Sequence, residues 1–517
     1  MIRIRNIKVP VLDNDIKKYT AQKLKINKEN IKTLKINKKS LDARRKNNIH
    51  YVYEVDITCK NENKLLKNND VIITPIEKYE FNNLGNQKLE NRPIIIGSGP
   101  AGLFCAYILA ENGYNPIIIE RGEQIENRVK TVNKFWETNI LNENSNVQFG
   151  EGGAGTFSDG KLNTLVKDQN HRMKKVFETF IKMGAPKEIM YEAKPHIGTD
   201  ILRDVIVNLR KEIVKLGGTF KYNTFMSDIT ISGKIKSIKI NKETVNTNIL
   251  VLAIGHSSRD TYKMLYEKGI KMSPKPFAVG IRLQHPQELI NKAQYGNILL
   301  PPASYKLTYN TKTRGVYTFC MCPGGYVVNA SSEKEKLAIN GMSNHNRDSK
   351  VANSAIIVTI SPKDFGSHPL DGIKFQRKLE ENAYKQGKGK IPVQNYKDFK
   401  NKIPSTKLTG LYAFKGEYTP CDINDIYPKY ITDSLKEAIE HFSTKIKGFN
   451  DDNIVVAACE SRTSSPVRIE RDENFESNIK GIYPCGEGAG YAGGITTSAM
   501  DGIKVAEAIM KKYKSLK

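Results

Sequence analysis

Ten residues near position 100 constrain the fold more strongly than any other stretch of the chain. Three isoleucines, Ile94 to Ile96, run directly into a Gly-x-Gly-x-x-Gly pattern made by Gly97, Gly99 and Gly102, and apolar residues then recur at helical spacing. The first glycine permits a tight turn, the second lets backbone approach a pyrophosphate, and the third lets the helix pack on the strand. The stretch therefore predicts strand, turn and helix in a parallel sheet that binds a dinucleotide.

The residues around this turn supply the expected contacts to phosphate and ribose. Pro100 and Ala101 open the predicted helix, whose N-terminus offers free N–H groups and partial positive charge to phosphates. A second predicted strand begins at Pro116 and ends in Glu120, where an acidic side chain can accept hydrogen bonds from two ribose hydroxyls. A strand before, a helix after and an acid at the next strand end make dinucleotide binding the prediction for this unit.

A second glycine-rich segment follows at residues 149–162. It carries five glycines in eleven residues, a density that excludes a helix interior. We expect a loop whose backbone comes close to something flat or phosphorylated, with Ser158 and Lys161 as polar contacts. The predicted cofactor contacts here are Gly152, Gly153, Ser158, Gly160 and Lys161. A flexible glycine-rich lid is the alternative interpretation.

Two later segments predict further contacts to the same ligand. The apolar run 248–254 reads as a buried parallel strand, and Gly255 and His256 follow at its carboxyl end, where ligands bind in such sheets. Near the C-terminus, a short strand leads to Gly486 and Glu487 and then to a glycine-rich helix start. The predicted contacts at that helix start are Gly494, Ile495 and Thr496.

The patterning divides the chain into four segments. Residues 1–88 alternate as βαββ and predict a small α+β module of ferredoxin-like type. Residues 89–273 form the first part of the dinucleotide-binding domain, 274–446 a mainly antiparallel substrate or cap domain, and 447–517 the return to the first domain. Within the cap, Cys320 and Cys322 are predicted on one strand face, either as redox-active thiols or as small core residues.

Composition limits the partners and the compartment. The formal charge of +26 raises nucleic acid as a partner, but the lysine excess is dispersed and accompanies abundant Asn and Ile, which indicates genome bias and argues against nucleic acid. Seven cysteines without C-x-x-C spacing predict no metal site and a reduced, cytoplasmic protein. No apolar run approaches the roughly 18 residues of a membrane span, so no membrane partner is expected.

These motifs together resemble flavoproteins of the glutathione-reductase-like FAD fold. GSGPAG at 97–102 with Glu120 and Arg121 is similar to the family's ADP-binding half, VLAIGH at 251–256 to its central strand motif, and YPCGEGAGYAGGI at 483–495 to its flavin-wrapping motif. One departure is Gly486-Glu487, where the wider fold has Gly-Asp. Over nearly the whole chain the sequence resembles bacterial FAD-dependent dehydrogenases of unknown substrate.

The resemblance implies the fold class and the cofactor. It implies an α/β fold with a Rossmann-type FAD-binding domain, an inserted mainly antiparallel β cap domain and the small α+β N-terminal domain. It also implies FAD as cofactor, with Arg121 among the residues that bind it. Because no second Gly-x-Gly-x-x-Gly follows a strand, no dedicated nicotinamide domain is expected, and NAD(P)H would dock transiently as electron donor.

The function predicted from these features is an FAD-dependent oxidoreductase that moves a hydride between flavin N5 and a small anionic substrate. An acidic substrate needs an arginine fork, and Arg462 and Arg468 follow a buried strand, with Glu460 as their orienting partner or as a base. A structural ion pair between Glu460 and Arg462 is the alternative. Two other functions stay open, an FAD-dependent tRNA-modifying protein that uses the basic N-terminal domain, which includes the basic segment 38–46, and a flavin redox sensor without turnover.

Overall fold

The computed structural model of this protein describes residues 1–164 and 166–516. Its N-terminal part is a four-stranded antiparallel sheet with one main helix. The elements are β1 (Ile2–Pro10), α1 (Ile16–Leu24), β2 (Ile31–Asp42), β3 (His50–Cys59), α2 (Glu62–Leu65) and β4 (Val71–Ile73). The strand order is β2-β3-β1-β4, which is the ferredoxin-like arrangement predicted from the βαββ pattern. Strand β2 runs on to Asp42, so the first part of the basic segment 38–46 is strand edge.

A five-stranded parallel sheet lies at the centre of the molecule. The elements of this part are β5 (Ile94–Ile96), α3 (Pro100–Glu111), β6 (Ile117–Ile119), α4 (Ile125–Thr138), α5 (Arg172–Lys182), α6 (Thr199–Lys215), β7 (Thr219–Lys221), β8 (Met226–Ser232), β9 (Lys234–Ile240), β10 (Glu243–Asn246), β11 (Leu250–Leu252) and α7 (Arg259–Glu267). The sheet order is β11-β5-β6-β7, and a late strand completes it beside β11. Strands β8 to β10 form a separate antiparallel meander.

The first glycine turn folds as its sequence requires. Gly97 has φ +98, and a Cβ there would lie 2.3 Å from the carbonyl oxygen of Ala253 on the neighbouring strand end. A Cβ on Gly102 would lie 2.0 Å from the carbonyl oxygen of Gly97. Both glycines are therefore needed by the protein itself, one for backbone conformation and both for the close packing of α3 on β5.

A second, mainly antiparallel sheet forms the cap over the parallel sheet. The remaining elements are β12 (Met272–Pro274), β13 (Phe277–Pro286), α8 (Gln287–Tyr295), β14 (Thr308–Asn310), β15 (Gly315–Cys322), β16 (Tyr326–Asn329), β17 (Ile339–Met342), β18 (Val351–Ile360), α9 (Pro362–Phe365), α10 (Asp371–Gln386), β19 (Ile391–Asn395), α11 (Tyr396–Asn401), β20 (Phe414–Lys415), β21 (Tyr418–Pro420), α12 (Lys429–Ser443), β22 (Val455–Glu460), β23 (Val467–Ile469), β24 (Ile482–Pro484) and α13 (Ile495–Lys512). The large cap sheet has the order β14-β15-β18-β13-β22-β19-β21.

The chain returns to the parallel sheet later than residue 447. Strand β22 pairs with β13 and β19 inside the cap sheet, and β24 is the strand that joins β11 in the parallel sheet. The apolar run of β22 predicts a strand buried on both faces. It does not indicate which sheet the strand joins, because both sheets cover their central strands on both faces. Among the described residues, none of the helices has the length and apolar character that a bilayer crossing requires.

Candidate active site

A cleft of about 560 Å³ separates the carboxyl edge of the parallel sheet from the cap sheet. It is where ligands bind in parallel α/β sheets. The cleft is lined by many of the residues predicted from sequence, namely Gly97, Gly99, Pro100, Ala101, Glu120, Arg121, Gly153, Ser158, Lys161, Gly255, His256, Glu460, Arg462, Glu487, Gly494 and Ile495. Segments more than 300 residues apart in sequence thus meet around one space.

Other predicted residues shape the cleft wall from behind. Gly486 donates its N–H to Asp501 Oδ2 at 2.7 Å, and Thr496 Oγ1 donates to the carbonyl of Leu162 at 2.7 Å. A Cβ on Gly152 would lie 2.1 Å from Thr156 Oγ1, and one on Gly160 would lie 2.9 Å from the amide nitrogen of Gly198. These residues, together with Gly102, position the loops around the cleft.

Gly99 and Gly494 show what kind of ligand the cleft fits. Gly99 has φ −72 and Gly494 has φ −173, conformations open to any residue. A Cβ on Gly99 would come no closer than 3.8 Å to the nearest protein atom, and one on Gly494 would meet nothing within 4 Å. Neither conformation nor packing therefore requires glycine here. Each glycine precedes a helix N-terminus that faces the cleft, so this pair fits a ligand with a pyrophosphate at one helix end and an electron-rich ring at the other, as FAD has in its pyrophosphate and its flavin pyrimidine ring.

Glu120 organises both glycine-rich segments. One carboxylate oxygen accepts hydrogen bonds from the N–H and hydroxyl of Ser98 at 2.9 and 2.8 Å. The other accepts from the N–H groups of Gly122 and Gly150 at 2.9 and 3.0 Å. Glu120 is 5% exposed and lines the cleft, so its contact to a ribose stays a prediction beside this observed structural role.

Arg128 holds the glycine-rich loop from the rear and was missed by the motif analysis. Its guanidinium is fully buried and donates to five backbone carbonyls, those of Asn146, Val147, Gly150, Glu151 and Gly153. Burial lowers the pKa of Arg128 to about 10, with nearby carboxylates opposing that change. The sequence does contain a sign of this burial, because Arg128 has the helical spacing of the buried residues Ile125 and Val132 on α4.

His256 and Glu487 meet across the cleft floor. His256 Nδ1 lies 3.0 Å from Glu487 Oε1, and His256 Nε2 is buried and lacks a partner among the described residues. Arg121 lies between two aromatic rings, 4.7 Å from the centre of Phe149 and 4.3 Å from that of Phe225, and donates to Asp260 Oδ1 at 2.7 Å. These contacts fix the predicted residues at the end of the cleft next to the parallel sheet.

A charged chamber occupies the cap side of the cleft. Asp159 accepts from Arg347 at 2.8 Å and lies 3.1 Å from Lys161 Nζ. Burial alone would raise the pKa of Asp159, but these two cations outweigh it and bring it to about 2. Burial alone would lower the pKa of Lys161, but Asp159 outweighs it and the pKa is raised. Both groups are therefore charged at neutral pH.

The predicted catalytic residues have partners that the sequence did not reveal. Glu460 forms a two-bond pair with Arg282 at 2.8 and 3.0 Å, and burial raises the pKa of Glu460. Arg462 forms its pair with Glu380 at 3.0 Å for both bonds. The alternative of a structural ion pair between Glu460 and Arg462 is therefore wrong, because each side chain is held by a residue from another element of the cap.

Arg468 lies outside the cleft. Its side chain is exposed on β23, and its guanidinium lies 5.2 Å from the ring centre of Tyr491. Arg462 lines the cleft, but Glu380, Ser257 and Ser332 already bind its donors. An open arginine fork for a substrate carboxylate is thus not formed by these two residues.

Family comparisons agree with this arrangement. Residues 276–463 match the family described as "FAD-dependent protein, C-terminal domain-like", and residues 95–145 match an NAD(P)-binding Rossmann-like domain. Residues 1–58 match a domain of unknown function. An uncharacterized protein of Clostridium beijerinckii is 48% identical over 529 residues, which covers 99% of each chain. This chain belongs to the same family as that protein, and its cap carries the C-terminal domain of FAD-dependent proteins. FAD as cofactor and the predicted fold class are confirmed, and NAD(P)H as electron donor stays a prediction.

Solved structures similar to this chain include an L-proline dehydrogenase and a glycine oxidase. L-proline dehydrogenase from P. horikoshii has 14% identity and a TM-score of 0.38, over 83% of this chain and 94% of that chain. Glycine oxidase from Bacillus cereus ATCC 14579 has 11% identity and a TM-score of 0.35, over 81% of this chain and 95% of that chain. Neither likeness carries a substrate over to this chain.

Proposed function

We propose that this protein is an FAD-dependent oxidoreductase that moves a hydride between FAD and a small anionic substrate held in the charged chamber. The observation that carries the proposal is the chamber's surplus of positive charge. Asp159 is shared by Lys161 and Arg347, which leaves one cation in excess. Lys194 and Lys306 also line the cleft, and neither has a carboxylate partner among the described residues.

The cofactor's place follows from the two helix ends. The N-terminus of α3 beyond Gly99 would hold the pyrophosphate, and that of α13 beyond Gly494 would face the pyrimidine end of the flavin. When bound, FAD supplies the two-electron donor or acceptor for the hydride. The loop that carries Lys161 is tied to α13 through Leu162 and Thr496, so the charged chamber opens beside the redox end.

The chain's own residues then have distinct roles. Lys161, Lys194 and Lys306 bind and orient the anion, and the Lys161 ammonium can hold or give a proton at Nζ. Glu460 is a positioning residue because it fixes Arg282, whose other bonds go to Asn340 on the cleft wall, to Asn353 behind it and to the carbonyl of Cys320. Arg462 joins the cap to the residues after β11 rather than contacting substrate.

The electron donor is tested by anaerobic titration of the purified protein with NADH and then NADPH while the oxidised flavin absorbance is followed. We expect bleaching by one of the two, because the cleft gives a nicotinamide access to the flavin. A flavin spectrum that neither nucleotide changes would assign the electrons to the substrate or to a protein donor. Absence of a flavin spectrum after FAD is added would overturn the proposed function.

The anionic substrate class is tested with simple anions. Sulfate, acetate and succinate are titrated into the FAD-loaded protein, and saturable changes in flavin absorbance give their Kd values. We expect Lys194→Ala combined with Lys306→Ala to weaken this binding at least about tenfold, which corresponds to about 1.4 kcal/mol. Lys447→Ala is the control, since Lys447 is exposed outside the cleft. Equal Kd values in all three proteins would remove the lysines from substrate binding.

A further inference from the structure

Cys320 and Cys322 stand at an irregular point of the chamber wall. Strand β15 loses its register with β18 between Phe319 and Cys322, and Cys320 has φ +40, a conformation that side-chain-bearing residues rarely adopt. Cys320 is exposed into the cleft, and the thiol of Cys322 also lines it. Strain of this kind persists where the surroundings impose it, and it concentrates at functional sites.

The two cysteines are linked to each other and to cations. Cys322 Sγ donates to the carbonyl of Cys320 at 3.2 Å, and Lys161 Nζ lies 4.0 Å from Cys322 Sγ. Arg282 donates to the carbonyl of Cys320 at 3.2 Å. Within residues 1–164 and 166–516, no group of three or more His, Cys, Asp and Glu side chains is arranged to hold a metal. The thiols therefore form a pair beside cations rather than part of a metal-binding set.

The pair faces the redox end of the proposed cofactor position. Ile495, the first residue of α13, lies against Gly155, so that a Cβ on Gly155 would be 3.1 Å from Ile495 Cγ1. The same loop continues to Lys161, which contacts Cys322. The inference thus rests on the proposed function, because it takes the N-terminus of α13 as the place of the flavin ring.

We infer that Cys320 and Cys322 form a dithiol–disulfide pair that exchanges two electrons with FAD. In the reducing direction the S–S bond breaks, FADH2 becomes FAD, and each cysteine sulfur becomes a thiol. Two electrons and two protons pass in total, so the exchange balances without another reactant. Lys161 can relay one of these two protons to Cys322 and ends the exchange with its own proton restored.

The surroundings favour thiols over thiolates once the bond has opened. Cys320 opens onto the cleft, but desolvation by the protein atoms around its sulfur raises the pKa of its thiol to about 12, with Lys161 acting in the opposite direction. Burial likewise raises the pKa of Cys322, again opposed by Lys161. Both sulfurs are therefore protonated at neutral pH in the reduced state, which is the state of the structure.

The test counts electrons per flavin in the full-length, FAD-loaded protein. Air-oxidised protein is titrated anaerobically with dithionite, and the flavin absorbance gives the endpoint. We expect the wild type to accept four electrons per FAD, two for the flavin and two for the disulfide. Cys320→Ser and Cys322→Ser should each accept two. Cys421→Ser is the matched control and should accept four, because Cys421 is half-buried in the cap outside the cleft.

Mass spectrometry provides a readout that does not depend on the flavin signal or on any variant. Oxidised wild-type protein is denatured, alkylated and digested, and the peptide with both cysteines should be unlabelled and about two mass units lighter than the reduced peptide. Reduced protein should carry two labels on that peptide. Two electrons per FAD in the wild type, with both thiols labelled after oxidation, would overturn the inference and leave the proposed function standing. Failure to bind FAD would overturn both.

Discussion

Trp136 Nε1 donates a hydrogen bond to the carbonyl of Asn329 at 3.0 Å, and this bond joins α4 to strand β16 of the cap. Trp136 is the single tryptophan of the chain and is buried, with its ring edge against Phe157 at 5.8 Å between ring centres. Phe157 ends the short turn of helix inside the glycine-rich segment. The indole therefore lies where the parallel-sheet part, the glycine-rich loop and the cap meet.

Fluorescence of Trp136 should report cofactor binding directly. A buried indole emits at short wavelength, and bound FAD should quench that emission because the cleft lies beside the glycine-rich loop. We expect saturable quenching when FAD is added to cofactor-free protein, with a Kd equal to that obtained from flavin absorbance. Quenching with an unrelated midpoint, or none at all with FAD bound, would contradict this placement of the cofactor.

The glycines of the first turn should separate binding from folding. Gly99→Val should leave a folded protein, because the backbone at Gly99 suits any residue, but should reduce FAD retention at least tenfold as the side chain enters the pyrophosphate space. Gly102→Ala should instead lower the free energy of unfolding by about 1–3 kcal/mol, since its Cβ would meet the carbonyl of Gly97. Denaturant unfolding of the cofactor-free proteins, with flavin content measured separately, distinguishes the two effects. Normal flavin content in folded Gly99→Val would refute the assignment of this turn.

The buried ion pairs of Glu380 should be structural. Glu380 is fully buried and binds Arg462 and Arg259, so Glu380→Gln leaves two buried guanidinium groups with reduced compensation. We expect a loss of about 3–5 kcal/mol in the free energy of unfolding. Glu381→Gln at the next position of α10 is the control, because the Glu381 side chain is 40% exposed and the substitution should change stability by less than about 1 kcal/mol. Equal unfolding curves for the two variants would show that the Glu380 pairs contribute nothing.

His285 should make the protein less stable in mild acid. It is fully buried with Nε2 donating to the carbonyl of Phe449 at 3.0 Å, and burial lowers the pKa of His285 to about 4. In the unfolded chain the imidazole takes up a proton near pH 6.5. The contribution of His285 to the free energy of unfolding is therefore fully present above pH 6.5, and about 3 kcal/mol of it is lost as the pH falls from 6.5 to 4.

Replacing His285 isolates that contribution. His285→Phe should flatten part of the pH dependence of the unfolding free energy between pH 6.5 and 4. A second part of this pH dependence comes from His196 and remains in the variant, because burial lowers the pKa of His196 to about 4 as well. A wild-type slope that persists unchanged in His285→Phe would assign the acid sensitivity elsewhere.

The sequence patterns predicted those features of the fold and the cleft that depend on a few neighbouring residues. The turn at Gly97, the acid at Glu120 and the helix start at Gly494 are each fixed by a few neighbouring residues, and the structure brings all three to one cleft. Partners set by tertiary packing were not predictable in this way. Glu460 pairs with Arg282 across two strands, and Arg462 pairs with a helix residue 82 positions away. Nothing in the spacing of these charges specifies which of several oppositely charged residues lies next to them.

The strand edge at Lys39 also has a consequence for the cleft. Lys39 exchanges backbone hydrogen bonds with Tyr191 and Ala193 at 2.7 and 2.8 Å, and its ammonium binds Glu192 at 2.8 Å. The chain then continues through Lys194 to His196, which pairs with Lys161 as an isolated β-bridge. The N-terminal sheet thus supports the part of the cleft wall that carries Lys161 and Lys194. Evolutionary loss or replacement of that sheet would alter the shape of the substrate space while every residue that faces the cofactor stayed the same.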